Sequence, residues 1–255
     1  MNRNAHRYDR QVVIPGFGRE GQDALLGSKV VVIGTGGLGS PILMYLAAAG
    51  IGMLRIVDND VVDVTNLNRQ ILHQSSSVGT RKTASAAITL QALNPEIHVD
   101  AIDTTLTLDN CETIFKDIDY AVDASDNFET KFLVNDTAMK LGIPCTVGGV
   151  NRWDGQVMSV VPGKSACYRC VFSSIPPAGT FKSPSDLGIV GVTAGGIGIV
   201  AASEVIKYFL GFQDKDRLVN RLLMMDLRST EFTTIDVKHS DRCTACGTRA
   251  RPKRS

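Results

Sequence analysis

Lys29-Val-Val-Val-Ile33, followed at once by Gly34-Thr35-Gly36-Gly37-Leu38-Gly39, is the stretch that decides the fold. Its first half is a short run of β-branched residues, the pattern of a strand buried on both faces. Its second half fits G-x-G-x-x-G, whose glycines let backbone N–H groups approach a phosphate at the head of a helix. Leu38–Ala49 reads as that helix, with Gly50 as its stop. Met53–Val57 is a second strand ending at Asp58, so the whole forms one βαβ unit.

Reading outward, a helix is expected over Thr80–Leu93, stopped by Asn94-Pro95. Strands follow at Ile97–Ile102 and Tyr120–Val122, then the turn Asp123–Asn127, a helix over Phe128–Leu141 and a strand at Cys145–Val147. This alternation predicts an α/β fold, a Rossmann-like, doubly wound, mostly parallel sheet. After Val150 the pattern changes. Gln156–Val161 reads as an antiparallel strand, Ser173–Leu187 as a Ser-, Pro- and Gly-rich crossing loop, and Ala194–Leu210 as a helix. Leu222–Met225 and Glu231–Ile235 read as a hairpin. The expected organisation is a nucleotide-binding part with an N-terminal arm (1–150), an antiparallel extension of the same unit (151–247) with crossover loop 173–187, and a basic tail (248–255).

The composition is that of an ordinary globular protein. Of 255 residues, 44% are hydrophobic and 21% charged, enough apolar material for a core. The net charge of +1 gives no broad attraction to nucleic acid or membrane, and both are excluded as expected partners. Arg249, Arg251, Lys253 and Arg254 cluster in the tail, which reads as a solvated end. Met1–Gln11 is polar and has no apolar signal region, and the apolar stretches are short or broken by glycine. A cytoplasmic protein is expected, where six cysteines point to metal or catalysis before disulfides.

Alone, the glycine loop points to NAD ahead of ATP. Asp58 stands where a carboxylate accepts hydrogen bonds from ribose hydroxyls. Arg69 and Lys82 come after the second strand, within reach of a triphosphate over the loop, which a nicotinamide site has little need for. Asp126, just after a parallel strand, could hold Mg²⁺ against those phosphates. The bland alternatives are a surface Arg, a surface Lys and a helix-capping Asp.

With these motifs in order, the chain resembles the ThiF/MoeB/HesA family, bacterial relatives of ubiquitin-activating enzymes. The resemblance covers about residues 7–247. It runs from Arg7-Tyr8-Asp9-Arg10-Gln11 through the glycine loop to Ser40, Val57–Asp60 and Asn66-Leu67-Asn68-Arg69-Gln70. It continues at Val78–Lys82, Asn94-Pro95 and Asp123-Ala124-Ser125-Asp126-Asn127. It implies an ATP-dependent adenylyltransferase in which Gly34, Gly36, Gly37, Gly39, Asp58, Asn66, Arg69, Lys82, Asp126 and Asn127 bind ATP and its Mg²⁺. It also implies a homodimer in which Arg10 reaches the phosphates in the partner subunit's site. A carboxylate attacks the α-phosphate, giving an acyl-adenylate and pyrophosphate, with no protein nucleophile.

Cys167-Tyr168-Arg169-Cys170 and Cys243-Thr244-Ala245-Cys246 form two CxxC pairs. Four thiolates make a closed tetrahedral Zn²⁺ site of structural type, provided the intervening chain folds back. A redox CxxC is the rival reading. The family carries the same pairs. Many members also carry a crossover-loop cysteine, and the equivalent position falls at or near Pro184, flanked by Ser183 and Ser185, so no thioester step is expected. Cys145 reads as a small buried hydrophobe, and Cys111 as a thiol with no activating group. The expected substrate is a ubiquitin-like sulfur-carrier protein ending in Gly-Gly, in thiamine, molybdopterin or related sulfur transfer, with the sulfur donor a separate protein. A peptide or small-molecule carboxylate is the alternative substrate, and a non-catalytic binding protein a further one.

Overall fold

In a computed structural model, residues 7–177 and 187–247 are described. The expectations on Ser183, Pro184, Ser185 and the basic tail lie outside these residues. One eight-stranded sheet organises the chain: β1 Lys29–Ile33, β2 Met53–Asp58, β3 His98–Asp103, β4 Tyr120–Asp123, β5 Cys145–Asn151, β6 Asp154–Val160, β7 Arg221–Asp226 and β8 Glu231–Asp236. Their order is β3-β2-β1-β4-β5-β6-β7-β8. The first five run parallel and the last three antiparallel.

The helices are α1 Asp9–Val12, α2 Gly18–Leu26, α3 Gly39–Ala49, α4 Lys82–Leu93, α5 Cys111–Ile114, α6 Phe128–Leu141, α7 Tyr168–Val171 and α8 Gly191–Phe209. The central strands β1 and β4 are buried on both faces because helices cover both, while β3 at the sheet edge stays half-exposed. One face packs Ile42, Leu43 and Leu46 of α3 with Leu90 of α4 and Ile197, Ala201 and Val205 of α8. The other packs Ile114 and Phe115 with Phe132, Val134 and Ala138 of α6. A fully buried aliphatic such as Ile42 or Leu54 contributes about 1.5–3 kcal/mol.

The expected elements form, with shifted ends. α4 begins at Lys82 rather than Thr80, because Thr80 and Arg81 are tied back to the loop after β2: the Val62 amide donates to Thr80 O at 2.9 Å. β5 runs on through Gly148 and Gly149, because β6 pairs with it along its whole length. The boundary expected at residue 150 therefore falls inside β5. α8 starts three residues earlier than expected, at Gly191. It is the one described helix long and apolar enough to cross a membrane, and its buried side lies on the sheet.

The strand order reverses between β1 and β4, where a doubly wound sheet opens a crevice at the carboxyl ends of its strands. Gly34, Asp58, Thr104 and Ala124 follow or end β1 to β4 at that rim.

Candidate functional site

A cavity of about 430 Å³ occupies the crevice. That is within the usual range for a small-molecule site, roughly 300–1,000 Å³. Its floor is the glycine loop. Gly34 has φ +99°, and a Cβ there would meet Ala124 O at 2.8 Å. A Cβ on Gly39 would stand 2.0 Å from Gly34 O. These two glycines answer to the fold. Gly36 and Gly37 differ: a Cβ would meet only ordinary contacts, Gln70 Nε2 at 3.5 Å and Ala194 Cβ at 3.4 Å. Both line the cavity, so bareness there leaves backbone open to whatever fills it.

Asp58 holds the loop from the side. Its Oδ2 accepts from the Thr35 amide at 2.8 Å and the Thr35 hydroxyl at 2.9 Å, and its Oδ1 from the Asp60 amide at 2.9 Å. Lys82 opens α4 almost fully buried and donates to Asp60 Oδ2 at 2.8 Å. Arg69 donates to Thr65 O at 3.0 Å and Asn68 Oδ1 at 3.1 Å. All three line the cavity, as do Asp126 and Asn127. Asn127 caps α6, accepting from the Thr130 amide at 2.8 Å, so the cap at this turn is the Asn and not the Asp. Asp126 is exposed, with a 3.5 Å contact from Asn127 Nδ2.

Three of the expected residues lie elsewhere. Asn66 turns its side chain back on its own turn, where Oδ1 accepts from the Asp63 amide at 3.2 Å, and Gly39 sits below the lining. Arg10 is exposed on α1 and outside the cavity. The rest of its signature is anchoring. Tyr8 is buried and its hydroxyl accepts from Asn94 Nδ2 at 2.8 Å, while that same amide donates to Ala47 O at 2.7 Å. Gln11 donates to Gln22 and to Ala49 O.

Residues not singled out from sequence complete the wall. Lys131 is buried and its ammonium donates to Asp123 Oδ2 at 2.7 Å, Ser125 O at 2.7 Å and Gly148 O at 2.5 Å. Burial pushes the Asp123 carboxyl up, while Lys131 and Ser125 pull it down. Lys131 thus clamps the Asp123–Asn127 turn to β5. Its position four residues past the Asn127 cap, after an Asp ending a buried strand, is the signal that could have found it. Gln70 Oε1 and Asn151 Oδ1 are buried in residues of the wall and meet no donor among the described residues. The far end is formed by Gly149–Asn151 and Asp154–Gln156 at the β5–β6 turn, with Ile189 above.

The lining carries three cations, Arg69, Lys82 and Lys131, and four carboxylates, Asp58, Asp60, Asp126 and Asp154. A bare triphosphate would meet no net positive charge. A divalent cation at exposed Asp126 would supply it, so the donor set fits Mg²⁺.

The four cysteines of the CxxC pairs converge. All four Sγ atoms lie within 4.8 Å of one another, with Cys167–Cys243 at 3.5 Å and Cys170–Cys246 at 3.3 Å. None is in a disulfide. A tetrahedral zinc with Zn–S of about 2.3 Å has sulfur–sulfur edges of about 3.8 Å, so these residues fit Zn²⁺ with no open ligand position. The knuckle is fastened to α6: Arg169 forks onto Asp136 at 2.8 and 2.7 Å and lies over the Phe132 ring, and the Tyr168 amide donates to Asn135 Oδ1 at 2.8 Å. Cys145 is fully buried, and burial pushes its thiol well up, so it is inert.

The ThiF family model matches residues 8–246. The chain belongs to the ThiF family. It is 42% identical over 246 residues to the sulfur carrier protein adenylyltransferase of Thermus thermophilus, covering 94% of this chain and 90% of that protein. It is 39% identical over 241 residues to the SAMP-activating enzyme E1 of Haloferax volcanii, covering 94% and 88%. It is 41% identical to the adenylyltransferase and sulfurtransferase MOCS3 of Dictyostelium discoideum, of which it spans 57%. Among solved structures, E. coli MccB with ATP superposes with a TM-score of 0.79 at 25% identity, covering 96% of this chain and 75% of MccB.

Proposed function

We propose that this ThiF-family protein uses ATP to adenylate the C-terminal carboxylate of a small ubiquitin-like sulfur-carrier protein ending in Gly-Gly. The observation that carries the reading is one cavity spanning the glycine loop, the Arg69–Lys82–Asp126 set and the β5–β6 turn. Nucleotide and carboxylate can meet in it. The relatives near 40% identity carry adenylyltransferase and E1 names, which supports the carrier as substrate and does not favour a peptide or small-molecule carboxylate.

In this reading the phosphates lie over Gly36 and Gly37 beside Arg69 and Lys82, and the ribose lies beside Asp58. The tail enters from the β5–β6 side, where Asn151 Oδ1 offers an acceptor to a peptide N–H. A carboxylate oxygen attacks the α-phosphorus, the bond from that phosphorus to the bridging oxygen breaks, and pyrophosphate leaves with the electron pair. Arg69 and Lys82 neutralise the charge that develops, and the fold aligns the two reactants. Mg²⁺ at Asp126 would screen the phosphates from the carboxylates around them. Zn²⁺ at the four cysteines would brace the C-terminal part against α6. Arg10, exposed on α1, would act across a homodimer.

The test is ATP–pyrophosphate exchange with a Gly-Gly carrier from the same source. Exchange that requires the carrier and Mg²⁺ is expected. Binding of NAD with no binding of ATP would sink the reading.

A further inference from the structure

His73 plays no part in the reading above, yet it is buried beside the glycine loop, four residues after Arg69. Both its ring nitrogens are engaged. Nε2 is 3.0 Å from the backbone oxygen of Thr35, and Nδ1 is 3.0 Å from Ser85 Oγ. A carbonyl oxygen can only accept, so Nε2 carries the hydrogen. Burial pushes the imidazole down from its ordinary value, the Thr35 carbonyl and Asp58 oppose that, and nearby Lys82 adds to it. The ring is therefore neutral, Nδ1 holds a lone pair, and the Ser85 hydroxyl donates to it.

The three residues in this chain belong to three separate elements. Thr35 sits between Gly34 and Gly36 and is fully buried, its amide and hydroxyl already taken by Asp58. Its carbonyl is the remaining polar group, and His73 is the group that meets it. Ser85 is one turn into α4, whose first residue is Lys82. His73 closes the segment that begins at Arg69, its amide donating to Gln70 O at 3.0 Å. One imidazole thus spans the loop under the phosphates and the helix bearing Lys82, from the segment bearing Arg69.

We propose that His73 is a positioning residue, a two-ended strut that sets the height of the glycine loop relative to Arg69 and Lys82. Its effect on nucleotide rests on the adenylation reading; its effect on the loop does not. A buried histidine that merely fills space would be replaced by any side chain of similar bulk. A strut depends on which nitrogen is kept.

Glutamine places an amide nitrogen near the Nε2 position and asparagine near the Nδ1 position, so the two variants cut opposite ends. In His73→Asn the Thr35 carbonyl loses its donor. The KM for ATP in pyrophosphate exchange should rise about tenfold with kcat much less affected, and the Thr35 amide should exchange with solvent about tenfold faster. His73→Gln should recover most of both, even if its melting temperature falls as far. Ser85→Ala, a mild truncation that keeps the protein folded if His73→Asn does not, should raise the same two quantities about threefold. The proposal is overturned if asparagine and glutamine behave alike, or if Thr35 exchange in Ser85→Ala matches the wild type. Thr35 exchange needs no nucleotide. A wild type that binds no ATP would sink the adenylation reading while the exchange data still decide on the strut.

Discussion

The crevice over β1–β4 and the cysteine knuckle packed on the middle of α6 are both built from a few polar side chains, but they close their valences differently. In the knuckle the four sulfurs face one another within 4.8 Å, and nothing is left over for a further ligand. In the crevice each side chain is held by the protein at one end and faces a cavity at the other. Asp58 grips Thr35, Lys82 grips Asp60, and Asp126 stands exposed beside an α6 cap made by its neighbour. A metal closed in by four thiolates leaves the knuckle a bracing part, as proposed above. The crevice gives up some stability by holding charges next to a void, and that arrangement suits it to bind and react. α6 joins them, with Asn127 capping its start and Asp136, just past its middle, receiving Arg169.

The comparison predicts separable defects. Cys243→Ser should have the largest effect on stability. It should lose the metal by elemental analysis and lower the melting temperature by about 10 °C or more, because metal binding at such a site is folding free energy. Full thermal stability in a metal-free variant would erase the distinction between the two regions.

Lys131→Met tests the place where they overlap, since Lys131 is both buried and in the cavity wall. Leaving Asp123 buried without its partner should cost about 3–5 kcal/mol in chemical denaturation. Asp123→Asn added to Lys131→Met should restore part of that stability. ATP turnover should remain low in the double variant, because the Ser125 and Gly148 carbonyls still lack their clamp. Recovery of both together would make Lys131 a purely structural residue.

Asp126→Ala should reduce pyrophosphate exchange at least about 100-fold, because it removes the carboxylate that would hold the charge-neutralising Mg²⁺. Its melting temperature should stay close to the wild type, since an exposed substitution shifts stability by about 0.5 kcal/mol or less. Smallest is Gly36→Ala, expected to weaken ATP about tenfold in calorimetry with little change in stability, because its Cβ would meet only Gln70 Nε2 at 3.5 Å.

Most of the sheet was legible because its strands are short apolar or alternating stretches, β-branched most clearly in β1, with local boundaries at Gly, Asn-Pro or Asp. Helix α2 was not read: Gly18-Arg19-Glu20-Gly21 looks like a turn. It packs Leu25 into the core and, at Gly21, lies so close to Leu210 that a Cβ there would stand 2.5 Å from Leu210 Cδ2, and those contacts are long-range. The cysteine pairs were legible as pairs, but their meeting depends on the hairpin β7–β8 returning the chain. Arg69, Lys82 and Asp126 could be placed at the crevice from strand order alone. Lys131 is marked in the sequence only by its spacing from the Asn127 cap, and His73 not at all, because backbone carbonyls are among their main partners and a sequence does not mark which carbonyl lies free. Asn66 fits the family pattern, but its Oδ1 is taken by the Asp63 amide of its own turn.

The two kinds of glycine in one loop bear on how descent is read. Gly34 and Gly39 are required by any protein that keeps this strand–helix junction, whether or not it still turns over a nucleotide. Gly36 and Gly37 are under no such steric demand from the chain itself. A homologue that has lost its chemistry and survives as a scaffold should therefore retain the outer pair and drift at the inner pair. Across a genome, side chains appearing at those two inner positions would sort pseudoenzymes from working enzymes where the overall motif still looks glycine-rich.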